Sequence, residues 1–186
     1  MSQASRLILL CEKAGPREYA CIMFQLPDNV KSKIKKLQEK INKEDIHPEE
    51  GLEDDIHITL LYGIFDGNEV KEKARELLKS EKPVQAHTGD VEIFEPKGED
   101  YDVVVLRVHG KALHDLRSKV EDSLPNEQTF PTYKPHITIG YVKKGTGRKY
   151  KDLSTSDISF ITKTIKYSSI DDTETLMDIG LNKKDE

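Results

Sequence analysis

The 186-residue sequence has little cysteine, no long apolar run and no excess of positive charge. Its two cysteines, Cys11 and Cys21, are too few for the disulfide framework of a small secreted protein, and a single bridge between them stays open. The apolar run Leu7–Cys11 is shorter than a signal-peptide core and far shorter than the roughly 20 residues of a membrane span. We therefore expect a cytoplasmic protein with reduced thiols and no membrane contact.

Acidic residues outnumber basic ones by 34 to 29, which gives a formal charge of −5 at pH 7. Sequence-independent affinity for RNA or DNA comes mostly from lysine and arginine that meet phosphates. We therefore do not expect long nucleic acid as a partner. The length suits one compact domain or two small lobes that share a core.

Apolar spacing predicts an α+β order of strands and helices, with helices packed on mostly antiparallel sheets. We expect an N-terminal arm at 1–16, one bilobal domain at 17–181 and a flexible tail at 182–186. Between the first helix and the second strand, residues 44–55 have the composition of a loop that is too polar to bury. The predicted strands are Tyr19–Leu26, Ile56–Ile64, Val84–Phe94, Tyr101–Val108, Ile137–Val142, Ile158–Tyr167 and Thr175–Leu181. The first predicted helix has Pro27 in its first turn, the second starts at Gly67-Asn68 and the third is Ala112–Leu124.

One short motif occurs twice, nearly half the chain apart. His57-Ile-Thr-Leu-Leu-Tyr62 and His136-Ile-Thr-Ile-Gly-Tyr141 are identical at four of six positions. Strand side chains alternate between faces, so His57 and Thr59 should share one face, as should His136 and Thr138. The aliphatic residues between them and the two tyrosines should point the opposite way, into the core. If a pseudo-twofold relates two halves, both His-Thr pairs meet in one cleft.

Two facing imidazoles suit phosphodiester chemistry near neutral pH. A neutral histidine takes a proton from the attacking oxygen, and a protonated one gives a proton to the leaving oxygen. Each threonine hydroxyl can donate to a non-bridging phosphate oxygen. His57, Thr59, His136 and Thr138 are therefore the candidate catalytic residues. The scattered histidines and cysteines lack the local pairing of a zinc site, so we expect no metal and no cofactor.

At these motifs the sequence resembles the 2H phosphoesterases, a family with two His-x-Thr/Ser motifs in a bilobal α+β fold. The second motif includes the proline that usually precedes it, Pro135, whereas Ile56 stands where many relatives carry proline. The short form looks most like the phage and phage-associated branch, whose enzymes cleave the cyclic oligonucleotide signals of anti-phage CBASS immunity. That resemblance implies a base-stacking role for Tyr19 and a substrate contact for Glu174.

The charge pattern suggests one basic and one acidic rim of the cleft. Residues 131–151 hold six lysines and arginines and no acid, whereas residues 44–70 hold nine acids and neither basic residue. Lys134, which stands two residues before His136, is the candidate phosphate contact. A small anionic nucleotide could bind the basic rim, and a long RNA would also meet the acidic rim and be repelled.

Three functions remain open on these residues. The leading hypothesis is a metal-independent phosphodiesterase that cleaves cyclic nucleotides or cyclic oligonucleotides and counteracts CBASS defence, in the host cytoplasm if a phage encodes it. The alternative is an RNA enzyme that opens 2′,3′-cyclic phosphates or handles 2′–5′ linkages. A binding module without turnover is the third, and the intact histidines and threonines of both motifs argue against it.

Overall fold

A computed structural model describes residues 18–127, 132–153, 155 and 157–180. The predicted arm at 1–16, with Cys11, and the predicted tail at 182–186 lie outside these described residues. The strands are β1 Ala20–Gln25, β2 His57–Ile64, β3 Val84–Phe94, β4 Tyr101–His109, β5 His136–Lys143, β6 Ser159–Thr162, β7 Thr164–Ser168 and β8 Glu174–Asp178. The helices are α1 Asp28–Gln38, α2 Asn68–Lys79 and α3 Lys111–Ser123, with a short 3₁₀ turn at Gly147–Tyr150.

The strands form two antiparallel four-stranded sheets. The first sheet has the order β2-β1-β7-β8 and the second has the order β5-β4-β3-β6. The predicted α+β, bilobal architecture is confirmed. The single strand predicted at Ile158–Tyr167 is wrong, because the chain leaves the second sheet after Thr162 and enters the first at Thr164. The residues of β6 and β7 have similar β propensity, and each strand pairs normally within its own sheet. The sequence therefore does not indicate where the chain crosses from one sheet to the other.

Each sheet contains the same strand-helix-strand unit. In the first sheet β1 leads through α1 to the edge strand β2, and in the second β4 leads through α3 to the edge strand β5. The two edge strands contact each other where the sheets meet. The repeated motif thus occupies equivalent strands of two lobes, which face one another.

Helices pack across the boundary between the lobes. Helix α1 of the first lobe contacts β5 of the second, and α3 of the second lobe contacts β2 of the first. Val30, Ile34 and Leu37 of α1 are buried at the i, i+4, i+7 spacing of one helix face. They belong to one apolar core that runs beneath both sheets. None of the helices in the described ranges is long and apolar enough to span a membrane.

The acidic segment 44–55 follows the free edge of β5 instead of standing in solvent. Ile46 and Leu52 form isolated β-bridges with Val142 and Gly140. A Cβ on Gly140 would lie 2.7 Å from the Leu52 side chain and 3.1 Å from its Cα, so only glycine allows this approach. The expectation that the segment is too polar to bury is wrong for Asp45. Its buried carboxylate accepts hydrogen bonds from Lys149 and Tyr150, which replace the lost water.

Candidate functional site

A β-bulge follows the threonine of the first motif. On β1, Ile22 pairs with Leu61 but the next residue, Met23, pairs with Thr59, so Leu60 is the extra residue of β2. Both Leu60 and Leu61 are buried in the core. Because the bulge resets the alternation, Tyr62 shares the face of Thr59. It packs with Cys21 and Met23 in a separate cluster on that face.

The second motif contains the matching bulge. Val105 pairs with Thr138 and Val104 pairs with Gly140, so Ile139 is the extra residue of β5. Tyr141 therefore lies on the face of Thr138 and packs with Tyr101 in a second small cluster. The prediction that Tyr62 and Tyr141 point away from the histidines is wrong. Strict alternation fails because each motif strand gains one residue at its bulge.

Each bulge is fixed by a buried side chain from the opposite lobe. The Leu60 carbonyl accepts a hydrogen bond of 2.9 Å from Arg117 of α3. The Ile139 carbonyl accepts one of 2.8 Å from Gln38 of α1. A bulge leaves the carbonyl of its extra residue outside the ladder, and a buried carbonyl without a partner is costly. These crossed contacts tie each motif strand to the other lobe.

Both histidine rings are held in the same tautomer. The Nδ1–H of His57 donates to the Asp55 carbonyl, and that of His136 donates to the Lys134 carbonyl at 2.8 Å. A carbonyl oxygen only accepts, so Nδ1 carries a proton in each ring. Proton exchange is therefore left to Nε2 in both histidines. The two rings are also electrically coupled, because the charge of His57 lowers the pKa of His136.

His136 lies beside a cation and an aromatic ring. It is the cross-strand neighbour of Arg107, and the Phe94 ring meets its imidazole edge to face at 5.1 Å. Burial, with smaller contributions from Arg107 and His57, lowers the pKa of His136 to about 4, against the opposing hydrogen bond to Lys134. One guanidinium nitrogen of Arg107 is buried without a hydrogen-bond partner in the described structure. It could donate to an anion bound at this ring.

His57 lies beside carboxylates. The Asp55 Oδ2 is 3.7 Å from the His57 Nδ1 and pairs with the ammonium group of the buried Lys166. Lys166 also donates to Glu174 at 2.7 Å. Burial acts to raise the pKa of Asp55, but the Lys166 hydrogen bond and the charges of His57 and Lys166 outweigh it, and this pKa is lowered. The carboxylate therefore stays ionised beside the ring.

The three predicted substrate contacts occupy different parts of the two lobes. Tyr19 donates to the Glu127 carboxylate and contacts the Tyr62 ring edge to face at 5.8 Å. Lys134 is exposed two residues before His136. The Glu174 carboxylate is about half exposed and is held by Lys166. Their contact with substrate stays a prediction.

The expectation of separate acidic and basic rims is wrong. Lys143 donates to the Glu44 carbonyl at 2.7 Å, and Lys149 pairs with Asp45 at 3.0 Å. The acidic segment 44–55 and the basic loop that follows β5, which contains Lys149, are therefore neighbours on one side of β5. Their charges compensate each other instead of defining opposite walls. Composition along the chain could not reveal this, because the two segments are about a hundred residues apart and meet only through the fold.

Comparison with known proteins agrees with this arrangement. The 2′-5′ RNA ligase superfamily model matches residues 26–155. Solved structures with the same fold include TT0787 of Thermus thermophilus, with 13% identity, a TM-score of 0.56 and coverage of 89% of this chain and 99% of that one. Usb1 of Kluyveromyces marxianus has 11% identity, a TM-score of 0.55 and coverage of 87% and 98%. Apo LigT of E. coli has 14% identity, a TM-score of 0.53 and coverage of 87% and 94%. No curated protein matches the sequence significantly.

A bilobal sheet pair that carries a His-x-Thr motif on each facing edge strand defines a 2H phosphoesterase. The chain belongs to the 2′-5′ RNA ligase superfamily. It is therefore an enzyme of the phosphoesterase class.

Sequence reasoning missed Arg107, Asp55 and Lys166, which surround the two histidines. Asp55 carried a visible signal, because an acid stands two residues before His57 and a lysine stands two residues before His136. Lys166 and Arg107 gave no such signal. They reach the histidines only through strand pairing across each sheet, which no local pattern reports.

Proposed function

We propose that this enzyme cleaves phosphodiester bonds of cyclic nucleotides or cyclic oligonucleotides, with His57 and His136 as the proton-transfer pair. The observation that carries the proposal is the duplicated motif on two facing edge strands, where each Nδ1 donates to a carbonyl and Nε2 is therefore the nitrogen that can accept a proton. Thr59 and Thr138 share the histidine face and can donate to the non-bridging oxygens of the phosphate.

Aromatic side chains flank both motifs, which supports a nucleotide substrate. Tyr19 and Phe65 lie at 5.8 Å from one another beside the first motif, and Phe65 is 50% exposed. Phe94 lies beside the second motif against His136. Exposed rings can stack on bases without strong sequence preference. Lys134 supplies positive charge for phosphate at the second motif.

The charge arrangement favours a small substrate over long RNA. The basic loop is compensated by Asp45 and by Glu95, which pairs with Arg148 at 2.9 Å. Positive charge that is compensated in this way adds little affinity for a long phosphate backbone. A cyclic dinucleotide or trinucleotide needs only the local cations near the histidines. Phage counter-defence against CBASS signalling is the biological role that such an activity would serve.

The nucleophile provides the test of this proposal. A 3′–5′ linked ribonucleotide has a neighbouring 2′-hydroxyl, and intramolecular attack by that oxygen has a large advantage over attack by free water. We expect cyclic dinucleotides with 3′–5′ linkages to be cut to products that carry a 2′,3′-cyclic phosphate, detected by mass. Their 2′-deoxy analogues should bind without being cut. Efficient cleavage of the deoxy analogue would mean that water attacks directly.

RNA end processing is the second candidate, because the matching family is described by 2′-5′ RNA ligase activity and one similar structure is LigT of E. coli complexed with 3′-AMP. An RNA enzyme of this kind would start from a terminal 2′,3′-cyclic phosphate and use water from the outset. Rapid opening of cyclic-phosphate-ended RNA, with no cleavage of any cyclic dinucleotide, would establish this alternative.

A further inference from the structure

The two histidines share a motif and a tautomer, yet their charged neighbours differ in sign. Nδ1 donates to a carbonyl two residues upstream in both cases. Beyond that contact, an acid lies 3.7 Å from the ring of His57, whereas the positive charge of Arg107, the cross-strand neighbour, acts on the ring of His136. A pseudo-twofold alone would make the histidines interchangeable. Their neighbours make them chemically distinct.

The charged neighbour of the His57 ring is the carboxylate of Asp55, at 3.7 Å, and the charges of Lys166 and Lys31 act on that carboxylate. Asp55 lies on its own segment, Lys166 comes from β7 and Glu174 comes from β8. On β1 the cross-strand neighbour is Gln25, which is neutral and accepts a hydrogen bond from Lys31 of α1 at 3.3 Å. Two carboxylates therefore share the buried ammonium of Lys166, and one of them, Asp55, lies against the ring. Burial, with the charges of Asp55 and Asp54, raises the pKa of Glu53 to about 7.

The groups around His136 give no such support for a positive ring. Arg107 comes from β4, and Glu92 of β3 pairs with the guanidinium at 3.5 Å rather than with the imidazole. Phe94 of β3 covers the ring, and Lys134 contributes its carbonyl. On the facing edge strand, His57 is close enough for its charge to lower the pKa of His136. A proton on one ring therefore opposes a proton on the other.

We propose that His57 is the general acid and His136 the general base of the cleavage step, with Asp55 as the residue that positions and stabilises the protonated His57. The assignment rests on the proposed function. Lys166 holds Asp55 by an ion pair, and Glu174 holds Lys166, so these two are positioning residues further from the reacting atoms.

The protons balance in this assignment. The 2′-hydroxyl gives its proton to the Nε2 of His136 while its oxygen bonds to phosphorus. The bond from phosphorus to the 5′-oxygen breaks, and that oxygen takes the proton from the Nε2 of His57. The step leaves His57 neutral and His136 protonated. Hydrolysis of the cyclic phosphate then reverses the roles, since His57 accepts a proton from water and His136 returns one to the 2′-oxygen.

The first test needs no turnover. Histidine ring signals followed by NMR from pH 4 to 9 should show that His57 keeps its proton to a higher pH than His136. Asp55→Asn should move the His57 titration to lower pH, and the exposed neighbour Asp54→Asn should not. If His136 keeps its proton to the higher pH, the assignment fails whatever the substrate is. An unchanged His57 titration in Asp55→Asn removes the positioning role of that carboxylate.

The second test varies the leaving group. A nucleoside 3′-(4-nitrophenyl phosphate) keeps the 2′-hydroxyl nucleophile but releases a phenolate that needs no general acid. With this ester His57→Ala should lose less than about 10-fold in rate, whereas with a 3′–5′ dinucleotide it should lose roughly 100- to 10,000-fold. His136→Ala should lose equally with both. The reverse pattern overturns the assignment alone, and a wild-type enzyme that cuts neither ester overturns the proposed function as well.

Discussion

The two motif strands make a natural comparison, because each repeats the other in backbone and differs in electrostatics. Both strands have a bulge after the threonine, and in both the tyrosine lies on the same face as the threonine. In both, the carbonyl of the extra residue accepts a hydrogen bond from a side chain of the opposite lobe. The charged residues beside the rings, Asp55 and Arg107, have no such symmetry. Backbone geometry is thus duplicated where it places the reacting groups. Side chains differ beside the rings, where the two proposed proton transfers need opposite properties.

Replacing either histidine should have the largest effect on the cleavage rate. We expect His57→Ala and His136→Ala each to slow cleavage of a 3′–5′ cyclic dinucleotide by roughly 100- to 10,000-fold, because each removes one proton transfer. Circular dichroism and thermal unfolding should show retained folds. His87→Ala, an exposed histidine of β3, is the matched control and should leave the rate unchanged. A wild-type rate in either variant removes that histidine from the mechanism.

Replacing either threonine should slow cleavage less than replacing a histidine. Thr59→Val and Thr138→Val keep the side-chain shape but remove the donor to phosphate, which costs on the order of 3 kcal/mol in a well-formed oxyanion site, or about 100-fold in kcat. Thr59→Ser and Thr138→Ser restore a hydroxyl and should recover most of the rate. If the valine and serine variants lose the same rate, packing of the methyl group and not the hydroxyl is what matters.

The crossed contacts of the bulges differ in strength. Arg117→Met leaves the Leu60 carbonyl without its guanidinium donor and should lower the free energy of unfolding by about 3 kcal/mol. Gln38→Leu should cost about 2 kcal/mol. It removes hydrogen bonds to the Ile139 and Glu53 carbonyls, but the Ile139 carbonyl keeps the Glu53 N–H donor at 3.2 Å. Urea unfolding measures both. Equal losses would show that the second donor contributes nothing to the second bulge.

The low pKa of His136 should make the free energy of unfolding depend on pH in the acid range. In the folded chain, burial and the charges of Arg107 and His57 lower this pKa to about 4. Unfolding restores the ordinary value near 6.5, so between these values the unfolded state binds the extra proton and stability falls as pH falls. His136→Gln should remove this part of the acid sensitivity in urea unfolding compared at pH 7 and 4.5. An identical pH dependence in His136→Gln and wild type would contradict the low pKa.

Removal of metal ions by a chelator should have the smallest effect on the cleavage rate. Within residues 18–127 and the described ranges after them, no three histidine, cysteine or acidic side chains are grouped to hold a metal. The proposed proton transfers use only imidazole and hydroxyl groups. We expect cleavage rates in excess EDTA to equal those in buffer alone. Full loss on chelation, restored by zinc or manganese, would overturn the two-histidine mechanism.

The sequence contained most of the fold and the centre of the candidate site. Strand and helix positions followed apolar periodicity closely, because both sheets have one face on a continuous core. The faces of Tyr62 and Tyr141 could not follow from alternation, since the bulges depend on pairing with β1 and β4. The neighbours of the rings depend on the same pairing. Local pattern therefore identifies the candidate reacting groups, and long-range register determines what surrounds them.

The crossing between β6 and β7 has a consequence for synthesis of the chain. All four strands of the second sheet lie between Val84 and Thr162, so that sheet can assemble from one continuous stretch. The first sheet contains β1 and β2, the earliest strands of the described residues, but also β7 and β8, which are synthesised after every strand of the second sheet. Distant pairings of this kind slow folding, because a long loop must close before they form. The ion pair between Asp55 and Lys166 beside His57 therefore needs a strand synthesised late, whereas Arg107 and His136 belong to strands of one continuous stretch.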